Sequence, residues 1–250
     1  MTNTDPVIGA RHIAKRFGHV EALRDASISV PAGKVVALVG DNGAGKSTFV
    51  KTLLGINRPD SGEVIIGGEP VELSSVRDAQ ARGVDAVHQE LALAPDLSVV
   101  DNMFLGHEVV AGPGVLKRRQ MTEQTDTALR ELGINLPSLA VAVRELSGGQ
   151  RQAVAVAKAV MWSRTAVLMD EPTAALGARQ SEIISELMRT VAAKGLGVLV
   201  ISHDLPRILK AADSVTVLWR GTTVLDAPAS DLTVPDLVAT MVGYRAEEAS

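Results

Sequence analysis

The chain has 250 residues, of which 46% are apolar, 22% charged and 2% aromatic, and its formal net charge is −4. This length and balance suit one large domain or two small ones with an aliphatic core, and the absence of cysteine excludes disulfides, thiolate metal sites and cysteine nucleophiles. The acidic balance and scarce aromatic side chains disfavour a protein whose main partner is a nucleic acid. No apolar run reaches about 18 residues and none precedes Phe17, so we expect neither a transmembrane helix nor a signal peptide.

Short apolar runs bounded by turn residues predict an α/β fold. The predicted strands cover residues 7–13, 22–30, 34–39, 62–71, 166–169 and 197–201, and a hairpin with Gly221 at its turn covers residues 214–225. The predicted helices cover residues 46–54, 150–161, 234–242 and a segment from Thr122, as N-cap, to Leu132 before Gly133. Continuous apolar runs near residues 39, 169 and 201 are typical of buried parallel strands. A helical insert at about residues 91–158 is predicted within one domain at 7–242, followed by a tail at 243–250.

A glycine-rich loop follows the third predicted strand and precedes a predicted helix. It fits the pattern G-x-x-x-x-G-K-[ST] and consists of Gly40, Asp41, Asn42, Gly43, Ala44, Gly45, Lys46, Ser47 and Thr48. Glycines let the backbone N–H groups turn towards phosphate oxygens, and the N-terminus of the next helix adds its positive dipole end. Lys46 is expected to bridge the β- and γ-phosphates and the Ser47 hydroxyl to ligate Mg²⁺. The alternative is a chance match to the pattern.

Two later strands end in polar side chains. Asp170 and Glu171 follow one apolar run, and His203 follows the next. Ligands bind at the carboxyl ends of parallel strands, so Asp170 is expected to hold Mg²⁺ and Glu171 to polarise a water for attack on the γ-phosphate. His203 could contact the γ-phosphate or that water, and Gln89 could reach the metal or the water. The alternatives are a solvated acidic turn for the carboxylates and ordinary surface roles for His203 and Gln89.

A second segment that contains glycines lies at residues 146–150, with the sequence Leu-Ser-Gly-Gly-Gln, just before a predicted helix. Ser147 is expected to cap this helix, and Gly148 and Gly149 allow another chain to approach closely. The segment is either a simple capped helix or a second anion site made of a hydroxyl, N–H groups and a helix dipole. One γ-phosphate cannot easily be cradled by two such loops of one compact domain. A second copy of the chain could supply one of them.

Together these motifs resemble the nucleotide-binding subunit of an ATP-binding cassette (ABC) transporter, over residues 7–242. Residues 40–48 match the Walker A loop, Gln89 the Q-loop, Ser147, Gly148, Gly149 and Gln150 the signature, 167–171 the Walker B strand, and His203 the switch histidine. The resemblance implies a P-loop NTPase with a RecA-like parallel-sheet core, an antiparallel β subdomain and an inserted α-helical subdomain. It implies ATP and Mg²⁺ as cofactors, with Glu171, His203 and Gln89 catalytic and Ser47, Gln89 and Asp170 at the metal. Phe17 falls where the family places an adenine-stacking aromatic; the alternative is a core phenylalanine.

The resemblance also implies partners. Two copies are expected to form a head-to-tail dimer, with ATP between the Walker A loop of one and the signature of the other. A permease is expected to dock near Gln89, on residues 91–100 and 102–106, at the cytoplasmic face of the membrane. Residues 40–43, 88–91 and 171–177 resemble those of single-cassette monosaccharide importers of the fructose or ribose type, which act with a periplasmic sugar-binding protein.

One departure from the family pattern follows the catalytic glutamate. The family usually has Ser-Ala-Leu-Asp at residues 174–177, and this chain has Ala-Ala-Leu-Gly. The missing aspartate, at Gly177, would affect how the two ATP sites communicate, whereas Glu171 is retained. Two rival functions stay open: a soluble cassette ATPase acting on nucleic acid or ribosomes, and a nucleotide-dependent regulatory protein with little turnover. The single cassette, the short insert and the lack of cysteine disfavour the first, and Glu171 disfavours the second.

Overall fold

The computed structural model describes residues 5–112, 114–174 and 176–243. Its strands are β1 (Ile8–Phe17), β2 (Val20–Val30), β3 (Val35–Val39), β4 (Ser61–Ile66), β5 (Glu69–Val71), β6 (Val84–Val87), β7 (Val110–Gly112), β8 (Val115–Leu116), β9 (Ala166–Asp170), β10 (Gly197–Ile201), β11 (Ser214–Trp219) and β12 (Thr222–Pro228). Its helices are α1 (Lys46–Leu53), α2 (Val76–Ala81), α3 (Val99–Phe104), α4 (Arg118–Glu131), α5 (Gly148–Trp162), α6 (Ala178–Ala193), α7 (Leu205–Ala211) and α8 (Val234–Met241). None of these helices is both long enough and apolar enough to cross a bilayer.

Ten of the strands form one sheet with the order β5-β4-β1-β2-β12-β11-β3-β10-β9-β6. The strands from β11 to β6 in this order run parallel, whereas β1, β2, β4 and β5 pair antiparallel. The predicted α/β fold with a parallel core and an antiparallel β part is therefore confirmed. The parallel arrangement also brings the carboxyl ends of β3, β10, β9 and β6 to one edge of the sheet.

Two apolar cores lie on opposite sides of β3. Val35, Ala37 and Val39 pack in a large core with α3 to α8, and Val36 and Leu38 pack in a second core with α1 and the antiparallel strands. Side chains of a strand alternate between its two faces, so a strand buried on both faces must be apolar throughout. The continuous apolar run that predicted β3 reflects this double burial.

The strands β1 and β2 are longer than predicted, whereas the strand and turn predicted at residues 62–71 is a hairpin of two shorter strands, β4 and β5. β1 and β2 continue to a tight turn in which Phe17 pairs with Val20, with several register shifts along the hairpin. Polar residues on the exposed part of this hairpin hid its length, because they break the apolar runs that the prediction used.

The start of α4 corrects the sequence prediction. The helix begins at Arg118 after Lys117, one turn before Thr122, and the Thr122 hydroxyl donates to the Arg118 carbonyl at 2.9 Å inside the helix. A threonine inside a helix can bond back to the preceding turn, so its hydroxyl did not mark the start of this one. The predicted C-terminal end is confirmed, since Gly133 has a φ of 70° just after α4.

The region of the predicted insert contains α3, α4, the small hairpin β7-β8 and the first part of α5. Ser98 caps α3, and the wholly buried Asn102 side chain bonds to the backbone of Ala94, Leu97 and Ser98. These bonds tie the loop that leads into α3 to the first turns of the helix, and they satisfy the polar atoms of a side chain that is wholly buried. The boundaries of the insert remain a prediction. Residues 244–250 of the predicted tail, and Ala175, lie outside the described residues.

Candidate functional site

The motifs predicted from the sequence meet at the carboxyl edge of the parallel strands. Ile201 of β10 lies beside Leu38 of β3 on one side and Asp170 of β9 on the other. On the far side of β9, Val87 of β6 lies beside Met169. Neighbouring strands are about 4.8 Å apart, so the segments that follow these four strand ends are separated laterally by roughly 5–15 Å. The structure thus brings the glycine-rich loop, the Asp-Glu pair, His203 and Gln89 to one edge.

The glycine-rich loop is held from outside by backbone groups of two other segments. A Cβ atom at Gly40 would lie 2.3 Å from the Leu218 carbonyl oxygen, and one at Gly45 would lie 2.5 Å from that of Ala22. Gly45 also has a φ of 107°, which L side chains rarely adopt. The loop carbonyl of Ala44 accepts a bond of 2.8 Å from the N–H of Gly221 in the β11–β12 turn. Glycine is required at both positions for the loop to fit between its supports.

Lys46 lies at the start of α1 with its side chain turned over the loop. Its ammonium donates to the carbonyl oxygens of Gly40 at 2.7 Å and Asp41 at 2.9 Å. Burial lowers the pKa of Lys46, and the charges of Glu171, Asp41 and Asp170 oppose that shift. A cation is therefore held at the mouth of the loop, within electrostatic reach of the Asp-Glu pair.

The two carboxylates have different surroundings. Burial raises the pKa of Asp170 and the neighbouring Glu171 charge raises it further, while the ammonium groups of Lys46 and Lys51 lower it. Glu171 leaves the sheet in a left-handed conformation with a φ of 48°, and its N–H donates to the Ile201 carbonyl at 3.0 Å. The chain thus bends sharply between the two carboxylates, as expected if they serve different groups.

His203 contacts Glu171 directly. Its Nδ1 lies 3.1 Å from Oε1 of Glu171, and its ring is 72% exposed whereas the glutamate side chain is 25% exposed. Behind it, Asp204 caps α7 and accepts from the Arg207 side chain at 2.8 Å. The sequence did not predict this contact with the glutamate, and the expected contact of His203 with the γ-phosphate or the attacking water stays a prediction.

The residues at this edge fit a nucleotide and a divalent cation. Three features suit phosphate groups: a loop that would not admit a Cβ at Gly40 or Gly45, the N-terminus of a helix, and the ammonium of Lys46. The hydroxyl of Ser47, the carboxylate of Asp170 and the amide of Gln89 offer oxygen ligands, which Mg²⁺ prefers. Gln89 is exposed just beyond β6.

The predicted N-cap at Ser147 is confirmed. The Ser147 hydroxyl accepts from the N–H of Gln150 at 3.3 Å, and the Gln150 side chain accepts from the N–H of Ser147 at 2.9 Å. This reciprocal capping box fixes the start of α5. A Cβ at Gly149 would lie 2.9 Å from Gln180, so this glycine packs closely on α6. Among the described residues, no hydrogen bond or ion pair joins residues 146–150 to the glycine-rich loop.

Phe17 lies at the tip of the β1–β2 hairpin and is 47% exposed. The alternative of a core phenylalanine is therefore wrong. The Lys15 ammonium lies 5.5 Å from the centroid of the Phe17 ring.

A groove of about 210 Å³ lies beside Gln89, between β6, α5 and the loop leading into α3. Its walls include Leu93, Leu105 and the ring of Trp162, with Lys158 as a half-buried cation. Burial lowers the pKa of Lys158, and the Asp85 charge opposes that shift. The groove lies where the sequence predicts docking of a permease, and both predicted segments contribute to its walls.

Sequence reasoning missed the supports of the loop. The sequence predicts Gly221 only as the turn of a hairpin and indicates no role for Ala22 or Leu218. Ala22 and Leu218 face the loop with their backbone carbonyls, so the residue types at these two positions carry no signal for the contact. Lys15 and Gln180 were missed as well, because a charged or amide side chain on the surface is ordinary in any sequence.

Comparison with known proteins agrees with these observations. Residues 23–174 match the family model described as ABC transporter. The chain is 40% identical over 249 residues to the fructose import ATP-binding protein FrcA of Rhizobium meliloti, an alignment that spans 96% of this chain and 95% of that protein. It is 41% identical over 234 residues to the xylose/arabinose import ATP-binding protein XylG of Sulfolobus acidocaldarius, spanning 94% and 93%. The fold matches the dimeric structure of MJ0796, a bacterial ABC transporter cassette, with a TM-score of 0.73 at 23% identity over 89% of this chain and 98% of that one.

Proposed function

Because the chain belongs to the ABC transporter family, we propose that it is the ATP-binding and ATP-hydrolysing subunit of an importer that carries a monosaccharide. The observation that supports this most directly is the convergence of Lys46, Asp170, Glu171 and His203 at one sheet edge. The names of the relatives favour sugar import over the alternative of action on nucleic acid or ribosomes.

The proposed chemistry assigns a separate task to each residue at this edge. The loop N–H groups and Lys46 bind the phosphates, Phe17 stacks on adenine, and Ser47, Gln89 and Asp170 would hold Mg²⁺. When bound, the metal neutralises charge on the phosphate oxygens.

Glu171 accepts a proton from the attacking water, whose oxygen bonds to the γ-phosphorus. The bond from that phosphorus to the bridging oxygen breaks, and ADP leaves with the electron pair. His203, in contact with Glu171 at 3.1 Å, holds the carboxylate in position for this transfer.

The signature segment is proposed to act on the ATP bound by a second copy. Its serine hydroxyl and glycine N–H groups lie at the start of α5, whose dipole favours an anion there. Since no hydrogen bond or ion pair of the described residues links the segment to the loop of its own chain, a head-to-tail pair would complete both sites. The dimeric relative with the same fold supports such a pair.

A permease is proposed to dock in the groove beside Gln89, at the cytoplasmic face of the membrane. The apolar walls of the groove suit a helix of the partner, and its closeness to the strand end before Gln89 would couple docking to the site. A periplasmic sugar-binding protein would reach this subunit only through the permease.

The proposal is tested with Glu171→Gln, which keeps the shape of the side chain and removes its basicity. We expect turnover to fall by about 10²–10⁴, the usual contribution of a general base, and Mg²⁺ with ATP to convert the variant into a stable dimer. ATPase assays and light scattering after size exclusion would measure both. Glu182→Gln, on an exposed turn of α6, is the matched control and should resemble the wild type.

Two results would contradict the proposal separately. Absence of ATPase activity in the wild type, alone and with its permease, would contradict hydrolysis. A Glu171→Gln variant that binds ATP but stays monomeric would contradict the paired site.

The sugar class is tested by stimulation of the reconstituted complex with a binding protein loaded with one monosaccharide at a time.

A further inference from the structure

A charged cluster supports the exposed ring of Phe17 at the tip of the β1–β2 hairpin. The Lys15 ammonium lies 5.5 Å from the ring centroid and donates to Oδ1 of Asp60 at 2.7 Å. Oδ2 of Asp60 accepts from the N–H of Arg16 at 2.7 Å, and the Asp60 N–H donates to the Ala14 carbonyl at 2.9 Å. Asp60 is thus tied to three consecutive residues of β1, just before Phe17.

The lysine of this cluster is more buried than is usual for a surface ion pair. The Lys15 side chain is only 16% exposed, whereas the ring of Phe17 remains 47% exposed. The bond from Lys15 and the N–H of Arg16 hold the pKa of Asp60 below its usual value, so this carboxylate is ionised at neutral pH. A cation that lies over one part of the ring leaves the rest available to a ligand.

The register of the hairpin places this ring beside the glycine-rich loop. Lys15 pairs with Leu23, and a Cβ at Gly45 would lie 2.9 Å from the Leu23 side chain. Phe17 is two residues farther along the same strand, which is about 7 Å at the usual rise. A nucleotide whose phosphates occupy the loop therefore has its base within reach of the ring.

We infer that Lys15 is a positioning residue for the base of the nucleotide: fixed by Asp60, it holds the Phe17 ring and leaves the exposed side of the ring for an aromatic heterocycle. The inference rests on the proposed function, since it requires that the loop binds a nucleoside triphosphate. It adds a second residue to base recognition, for which the sequence predicts only Phe17.

The physical reason is a cation–π contact. An ammonium within about 6 Å of an aromatic ring is attracted by the ring quadrupole, by about 0.5–1 kcal/mol at exposed sites. This attraction favours one orientation of Phe17 before the ligand arrives, so less rotational freedom is lost on binding. The effect depends on the base, because the triphosphate contacts the loop and not the ring.

The test compares ATP with inorganic tripolyphosphate, which lacks the base, by titration calorimetry with full-length protein. Lys15→Met keeps most of the apolar stem and removes the charge, and we expect it to weaken ATP binding about two- to fivefold, the equivalent of the cation–π energy. Tripolyphosphate binding should be unchanged. Lys15→Arg, which keeps a cation over the ring, should restore ATP binding. Lys34→Met is the matched control, because Lys34 also bonds an aspartate, Asp213, at 2.8 Å.

A double-mutant comparison separates positioning from direct contact. In a Phe17→Leu background, Lys15→Met should have no further effect on ATP binding, because the ring through which it acts is gone. The inference is overturned if Lys15→Met lowers ATP and tripolyphosphate binding equally, if it still acts without the ring, or if it changes neither ligand. Failure of the wild type to bind ATP would instead contradict the proposed function.

Discussion

Glu171 has a left-handed backbone, with a φ of 48°, at the position proposed for the general base. For a residue with a Cβ this conformation costs about 1–2 kcal/mol relative to the right-handed one. Glycine adopts it freely but loses about 0.4–1 kcal/mol through the larger entropy of its unfolded chain. We therefore expect Glu171→Gly to be more stable than Glu171→Ala by about 0.5–1 kcal/mol.

The two variants form a fair pair because both lose the contact with His203. For a domain of this size the difference corresponds to about 1–4 °C in melting temperature, measured by differential scanning calorimetry without nucleotide. Glu186, exposed in α6, gives the control pair. There glycine should be the less stable variant by about 1 kcal/mol, as in any helix interior.

The sign of the difference decides the outcome. Equal stability of the two variants at position 171, or greater stability of Glu171→Ala, would show that this residue is not held in a strained conformation. If Glu171→Gly is the more stable variant, the bend of the chain between Asp170 and Glu171 lowers the free energy of unfolding of the wild type.

Gly177 and Asp170 give two further predictions. Gly177 caps α6 without a side-chain bond, and the oxygen of the Gln180 amide lies 2.7 Å from the position of a Cβ at residue 177. An aspartate at this position would therefore displace the Gln180 amide. We expect Gly177→Asp to change the Hill coefficient for ATP while turnover persists. Complete loss of turnover would contradict this. Burial raises the pKa of Asp170 in the folded state, so ionisation of its carboxyl group destabilises the fold at pH values above that pKa. We expect Asp170→Asn to raise the melting temperature of the protein without nucleotide. This gain in melting temperature should shrink as the pH falls through the raised pKa, because the wild-type carboxyl group is then neutral. A gain that grows on acidification would refute the argument.

The elements that bear the site were predictable where local chemistry determined them. The apolar run before Asp170 specified β9, because a strand covered on both faces has no polar positions. Ser147 marked the start of α5, because its hydroxyl and Gln150 satisfy N–H groups that would otherwise lack partners. The predicted start at Thr122 was wrong, because the hydroxyl of this threonine bonds to a carbonyl inside the helix instead of capping its first turn.

Other features depend on contacts that are distant in sequence. The left-handed conformation of Glu171 is stabilised by a bond from its N–H to Ile201, on a different strand. The support of Phe17 depends on Asp60, which is 45 residues from Lys15. Pattern and propensity do not predict such pairs, so the sequence located the site but not the geometry of its parts.

The backbone supports of the glycine-rich loop have a consequence for how the chain can vary. The carbonyls of Ala22 and Leu218 are present whatever side chains these two positions bear, whereas Gly221 has a φ of 82° and a Cβ there would lie 3.0 Å from the Ala22 carbonyl oxygen. The demand for a particular residue thus falls on the glycines of the loop and on Gly221, whereas Ala22 and Leu218 can be replaced as long as the two strands keep their course. Such a loop tolerates substitution at Ala22 and Leu218, so these two neighbours can change while the backbone of the loop keeps its shape.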